Sequence, residues 1–150
     1  MPNFYILWDH PVKDCSVNLL GSNSEVKIVK NFSGFDFTNK LVLQPGAEPL
    51  SSKDEPRDLV IIDMPWHKAN SFFKRIPQTA EKRSIVGFRP AYPMTNSVTK
   101  RPKEGLRSIE CMFAAKLIVT GKADESLLDG YYFKDKFLEI NKERIEKFLR

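Results

Sequence analysis

The first half of the chain carries short apolar runs that are typical of β-strands. The predicted strands cover residues 3–9, 24–31, 40–46, 58–64 and 83–88. The run at 58–64 (DLVIIDM) is apolar at nearly every position, which is the pattern of a parallel strand with both faces covered. The segment 24–31 (SEVKIVKN) instead alternates apolar and polar residues, as a half-buried strand does. We therefore predict a β-rich first half.

Helical spacing of apolar residues dominates the second half. Pro65 suits a first helical turn, so we predict a helix over 66–76. The segment 104–121 has apolar residues three or four positions apart and ends on Gly121, a common helix stop. Shorter helical turns are predicted at 17–20, 51–58 and 124–130, and a long terminal helix at 131–150.

A proline-rich connection separates the two kinds of segment. Residues 89–105 contain Pro90, Pro93 and Pro102, and loops this long in compact domains usually carry function or lack a fixed structure. We therefore divide the chain into an α/β half over 1–86 and a helical half over 87–150.

The composition is that of an ordinary globular protein. The chain has 150 residues, of which 41% are hydrophobic and 29% charged, which fits one compact domain or two small halves with a shared core. No apolar stretch approaches the roughly 20 residues that cross a bilayer, and the first ten residues lack the basic region of a signal peptide. Two cysteines and two histidines cannot make a structural zinc site alone, so we expect no metal and a reducing, cytoplasmic setting.

Positive charge is concentrated in the middle of the chain. Ten lysines and arginines lie between residues 68 and 107, opposed only by Glu81 and Glu104, whereas the whole chain has a net charge of +5. Such a distribution favours a nucleic-acid partner; the alternative is a solvated surface without a partner. The residues predicted to bind RNA are Arg89, Lys100, Arg101, Lys103 and Arg107.

Asp63 and Trp66 follow the most apolar strand, where open α/β sheets bind ligands. A carboxylate at such a strand end can hold a ribose hydroxyl, and a tryptophan can wall an adenosine or attract a sulfonium with its ring face. The structural alternative is that Asp63 caps the following helix and Trp66 packs in the core.

Glu110 lies on the apolar stripe of the helix predicted at 104–121. A buried carboxylate needs a partner or must be protonated, so we predict an ion pair or a clamp between the helix and a loop, with a nearby arginine. Ser108 could bond a ligand or its own helix, and the spacing leaves both open.

Five segments follow one another in a specific order. They are 14–16 (DCS), 43–48 (LQPGAE), 63–66 (DMPW), 108–110 (SIE) and 133–141 (FKDKFLEIN). This series resembles the archaeal and eukaryotic small-subunit ribosomal RNA aminocarboxypropyltransferases over nearly the whole chain. The related DTW-domain transferases that act on tRNA also carry Asp-x-x-Trp but usually open with a cysteine cluster, which this chain lacks, so the ribosomal branch is favoured.

The resemblance implies a fold and a reaction. The fold is α/β and SPOUT-like, with a mainly parallel sheet of about five strands, a deep trefoil knot in the first half and an all-helical second half. The reaction transfers the 3-amino-3-carboxypropyl group of S-adenosylmethionine to N3 of a uridine or pseudouridine in small-subunit rRNA, and releases 5′-methylthioadenosine. The partner would be this rRNA or a pre-ribosomal particle, without a membrane, and we expect a monomer.

The resemblance also implies the residues of the cofactor pocket. They are Ser16, Leu43, Asp63, Trp66, Ala69, Ile85, Val86 and Ser108. Asp63 is the candidate to assist deprotonation of the imide N–H, and a purely ligand-holding role is equally open.

Two other function classes remain open. A SPOUT-like RNA methyltransferase would use the same cofactor but transfer its methyl group. A non-catalytic RNA-binding assembly factor would share the basic surface and need no cofactor pocket.

Overall fold

A five-stranded parallel sheet forms the centre of the molecule. The computed structural model describes residues 3–9, 23–54, 57–91 and 105–150. The strands are β1 (Phe4–Trp8), β2 (Val26–Val29), β3 (Lys40–Leu43), β4 (Asp58–Asp63) and β5 (Glu81–Arg83). They lie in the order β2-β1-β4-β3-β5, and every neighbouring pair is parallel. The predicted α/β fold with a mainly parallel sheet is therefore confirmed.

Both faces of the central strand β4 are covered, as its apolar run predicted. Leu59 and Ile61 face one hydrophobic cluster, and Val60 faces the other, because side chains of a strand alternate between the two faces. All three are at most 4% exposed. The sheet thus separates two layers of the core.

Helices cover the two faces unequally. The helix α1 (Trp66–Phe73) covers one face with Ala69 and Phe73. The other face is covered by α2 (Ser108–Thr120), α3 (Lys134–Ile140) and α4 (Lys142–Phe148). Eleven of the 13 residues of α2 are buried, so this helix is enclosed on all sides instead of exposing a polar face.

The predicted boundaries hold at several points. Helix α2 ends at Gly121, which adopts a left-handed conformation with φ of 75°, as the sequence predicted. Helix α1 begins at Trp66, as predicted, but ends at Phe73, three residues before the predicted end at 76. The turns at 51–58 and 124–130 appear as the 3₁₀ helices Ser52–Asp54 and Glu125–Leu128.

Two predictions about the elements were wrong. The last strand is Glu81–Arg83 instead of 83–88: its pairing with β3 ends at Leu43, and among the described residues only the isolated bridge between Ser84 and Pro49 continues the ladder. The terminal helix is broken at Asn141, whose side-chain amide bonds the backbone of Arg89 instead of facing solvent.

Other predictions about the fold are not decided by these elements. After residue 87, every regular element that the structure describes is a helix. The knot and the division into two halves stay predictions. The turn predicted at 17–20 lies outside the described residues. Among the described helices, none is long and apolar enough to span a membrane.

Candidate functional site

The carboxyl ends of β1 and β4 lie side by side at a switch point of the sheet. The chain leaves β1 towards β2 on one side and leaves β4 towards β5 on the other. At such a switch point the two connections diverge and open a crevice, where open α/β sheets bind ligands. Asp9 and Asp63 follow or end these strands, and the backbone N–H of Asp9 donates to the carbonyl of Asp63 at 2.9 Å.

Asp63 is bonded to the start of α2. By strand alternation, Asp63 shares the face of Leu59 and Ile61, which is covered by α2. The hydroxyl of Ser108, the first residue of α2, donates to Oδ2 of Asp63 at 2.6 Å. Ser108 is 8% exposed. Two residues 45 positions apart in the sequence thus fix a carboxylate at the carboxyl edge of the sheet.

The buried carboxylate of Glu110, two residues further along in the first turn, holds the start of α2 in place. Oε1 of Glu110 accepts from the backbone N–H of Arg107, and Oε2 accepts from the backbone N–H of Ala91 and from the hydroxyl of Tyr131, at 2.9, 2.9 and 3.0 Å. Glu110 is therefore the predicted clamp between helix and loop, but its hydrogen-bond donors are two backbone amides and a tyrosine. Burial raises the pKa of the Glu110 carboxyl, and these hydrogen bonds oppose that shift only in part.

Trp66 and Ala69 lie on the opposite face of the sheet from Ser108. Ala69 is 3% exposed within the cluster beneath α1. Trp66 is half-buried against the same cluster, with its ring centroid 6.3 Å from that of Phe73. Trp66 therefore packs against the core, as the structural alternative predicted, and still stands at the end of the sheet where α1 begins. Only a ligand at the edge itself could contact both Trp66 and Ser108.

The end of β3 brings Leu43 and Gln44 to the same edge. Leu43 pairs with Ile61, so Gln44 lies beside the last residues of β4. The backbone N–H of Gln44 donates to the carbonyl of Arg83 at 2.8 Å. Its side-chain oxygen Oε1 is buried, and no hydrogen-bond donor among the described residues reaches it. A buried acceptor without a donor is uncommon and costs free energy, so it suits a ligand that brings an N–H group.

Ile85 and Val86 follow β5 at this edge. Ile85 packs against the cluster beneath α2. The guanidinium of Arg144, on α4, donates to the carbonyl of Val86 at 2.9 Å and stacks on Phe148 at 4.9 Å. This segment is therefore tied to the C-terminal helices, on the same face as Leu43 and Ser108.

The residues predicted to bind RNA are only partly described. Arg89 is exposed, with its guanidinium 3.4 Å from the carbonyl of Ile140. Arg107 is half-buried and immediately precedes α2. Lys100, Arg101 and Lys103, and the predicted pocket residue Ser16, lie outside the described residues.

Sequence reasoning missed Asp9 and Gln44. Asp9 follows β1 in the way that Asp63 ends β4, and this parallel was visible in the sequence. Its importance depends on β1 and β4 being neighbours, which no local pattern predicts. The orphaned oxygen of Gln44 has no signature in the sequence at all.

Cys111 is poorly suited to nucleophilic chemistry. Burial, and secondarily the nearby carboxylates of Glu110 and Asp63, raise the pKa of its thiol to about 12. A thiol with such a pKa is protonated at neutral pH and unreactive. Within the described part of the chain, no group of three or more His, Cys, Asp or Glu side chains could hold a metal ion.

Comparisons with known proteins support the fold. Neither a family model nor a curated protein matches the chain. Among solved structures, the chain is similar to the SAM-dependent rRNA:acp-transferase Tsr3 from Vulcanisaeta distributa, with a TM-score of 0.76 and 22% sequence identity. The similarity covers 97% of this chain and 80% of that one. The two chains therefore share a fold over nearly all of this protein.

Proposed function

We propose that this protein transfers the 3-amino-3-carboxypropyl (acp) group of S-adenosylmethionine to N3 of a uridine or pseudouridine in small-subunit rRNA. The observation that carries the proposal is the bonded pair of Asp63 and Ser108 at the switch point, in a fold similar to that of an rRNA:acp-transferase. The ordered motifs from residue 14 to residue 141 support it independently.

The residues at the carboxyl edge fit the chemistry of this cofactor. The Asp63 carboxylate can accept from a ribose hydroxyl or from an ammonium group, and the half-buried Trp66 offers a ring edge or face to an adenosine or a sulfonium. The orphaned Oε1 of Gln44 can accept from an exocyclic amine. S-adenosylmethionine supplies an electrophilic carbon that is attached to a good leaving group.

We assign to Asp63 the role of holding and orienting the ligand. The hydrogen bond donated by Ser108 fixes the orientation of the Asp63 carboxylate. The reaction joins N3 of the base to a carbon of the acp chain and releases 5′-methylthioadenosine and the N3 proton. Because the leaving group is good, positioning of the base against that carbon is the main task of the protein.

A labelling experiment tests the proposal. The protein is incubated with unmodified small-subunit rRNA and with S-adenosylmethionine labelled in the carboxyl or in the methyl position. We expect the carboxyl label, and no methyl label, to enter a uridine or pseudouridine of the RNA, together with an equal amount of 5′-methylthioadenosine. Asp63→Asn should lower the transfer rate, while Asp36→Asn, an exposed aspartate in the loop before β3, should leave it unchanged.

Other results would assign a different function. Methyl label in the RNA, with S-adenosylhomocysteine as product, would make the protein a methyltransferase. Binding of the RNA without transfer of either label would leave the role of an assembly factor.

A further inference from the structure

A groove on the outer side of α1 adjoins the candidate site. It has a volume of about 390 Å³, within the roughly 300–1,000 Å³ of typical ligand pockets. The residues that matter here are Asp9, Phe32, His67, Lys68, Phe72 and Arg75. Asp9 belongs to both places, because its backbone N–H bonds the carbonyl of Asp63 at 2.9 Å. A chain-like ligand could therefore extend from the crevice into this groove.

The floor of the groove is aromatic. Phe32 and Phe72 meet edge to face, with ring centroids 5.2 Å apart, and both are half-buried. The guanidinium of Arg75 lies 5.7 Å from the centre of the Phe72 ring. Aromatic rings beside a guanidinium plane are the surface on which the bases of single-stranded nucleic acids pack.

The rim of the groove is basic. No aspartate or glutamate occurs between Asp63 and Glu81, while this stretch contains Lys68, Lys74 and Arg75. Lys68 lies 3.5 Å from Asp9, and both side chains are more than half exposed, so this pair contributes little to folding. Lys68 lies on α1, and Arg75 lies two residues after the end of this helix. Both residues line the groove, which allows one cation at each end of a nucleotide.

We propose that this groove binds one unpaired nucleotide of the RNA strand next to the reacting base. The base packs against Phe32 and Phe72, and the flanking phosphates contact Lys68 and Arg75. The choice of RNA as partner rests on the proposed function, whereas the combination of aromatic floor and basic rim is independent of it. An acidic protein segment would contact the basic rim but would make no specific contact with the aromatic floor.

Binding of a fluorescein-labelled dodecauridine, measured by anisotropy, tests the rim. Lys68→Gln with Arg75→Gln should weaken binding about tenfold and flatten the salt dependence by about 1.4 log units per log unit of salt, since each phosphate contact on a single strand contributes about 0.7. Lys142→Gln with Lys147→Gln is the matched control. Both lysines are exposed on α4, on the other side of the sheet, and the two substitutions remove the same amount of positive charge as the groove variant does.

A second pair of variants tests the floor. Phe72→Leu should weaken dodecauridine binding about tenfold, through loss of stacking. Phe35→Leu should have no effect, although Phe35 is also half-buried in the cluster beneath α1 and also makes edge-to-face contacts. Thermal unfolding of each variant verifies that it is folded.

The outcomes separate the groove from the proposed function. The groove proposal is overturned if the unsubstituted protein does not bind dodecauridine, or if a groove variant binds it as tightly as its control variant does. It is also overturned if Phe72→Leu weakens the binding of polyglutamate, an acidic peptide, as much as it weakens the binding of dodecauridine. If the protein transfers no label but its groove variants lose RNA binding, the groove proposal is retained and the proposed transferase function is rejected. Transfer of label with unaltered RNA binding would do the reverse.

Discussion

At the scale of single residues, the edge of the sheet carries a polar contact on one face and an apolar side chain on the other. Asp63 is held by Ser108 on the α2 side, while Trp66 packs on the α1 side. The first arrangement fixes a charge, and the second offers apolar area. A ligand in the crevice would therefore meet a polar contact and an apolar wall that can be removed separately.

The apolar wall should matter more for S-adenosylmethionine affinity than the carboxylate. A tryptophan buries about 150–250 Å², whereas one hydrogen bond contributes about 0.5–1.5 kcal/mol, or up to about 3 with a charged group. We expect Trp66→Ala to raise the dissociation constant, measured by titration calorimetry, more than Asp63→Asn does. Phe35→Ala, which removes an aromatic ring from the same face away from the edge, is the control. Unchanged affinity in Trp66→Ala would confine Trp66 to a packing role.

At the scale of elements, the segment after β5 contacts α4, and a glycine leaves room for that contact. Gly87 has φ of 84°, and a side chain there would place Cβ 2.5 Å from Nε of Arg144. Arg144 would have to move, although its guanidinium bonds the carbonyl of Val86. The glycine therefore permits the contact between α4 and the edge of the sheet.

Gly87→Ala should destabilise the protein more than Gly34→Ala. Gly34 has a similar φ of 76°, but a Cβ there meets nothing within 4 Å. Backbone strain should cost both variants about 1 kcal/mol, and loss of the Arg144 bond should add about 1–3 kcal/mol to Gly87→Ala. Denaturant unfolding measures both. The additional loss should vanish in an Arg144→Ala background; equal losses for the two glycines would contradict this account.

At the scale of the whole molecule, a buried ion pair network connects distant parts of the chain. Nζ of Lys116, in the middle of α2, lies 2.9 Å from Glu25 before β2 and 2.6 Å from Asp124. Burial by itself would lower the pKa of Lys116, but the bonds to Asp124 and Glu25 outweigh it and raise the pKa. The hydrogen bond from Lys116 is the main cause that lowers the pKa of Asp124.

These shifts predict how stability depends on pH. The lowered pKa of Asp124 stabilises the fold above the pKa of an unfolded aspartate, about 3.9, and this contribution is lost as the pH falls through the lower, folded value. The raised pKa of Lys116 stabilises the fold below the pKa of an unfolded lysine, and this contribution is lost at higher, strongly alkaline pH.

Lys116→Met should therefore lower the free energy of unfolding by about 1–3 kcal/mol at neutral pH, and this difference should shrink as the pH falls below about 4. Urea unfolding between pH 3 and pH 7 measures it. Lys134→Met, which breaks a pair whose partner Asp129 is 71% exposed, should cost less than about 1 kcal/mol. A difference that stays constant over the whole range would contradict the role of the network.

The sequence alone determined the features that depend on neighbouring residues. The apolar run ending in Asp63 predicted a doubly covered parallel strand, and Gly121 predicted the end of α2, because both patterns express local periodicity and backbone conformation. The same reasoning recognised Glu110 as a buried clamp, since a carboxylate on an apolar stripe must be satisfied. It also placed Asp63 and Trp66 at the edge of the sheet.

Only the tertiary structure decided which distant residues meet. The order of strands brings Asp9 beside Asp63, and the docking of α2 brings Ser108 to the same carboxylate across 45 positions of sequence. Asn141 interrupts a continuous helical pattern because Arg89, 52 positions away, offers its backbone. Local spacing cannot encode such contacts, because they depend on how the sheet and the helices pack.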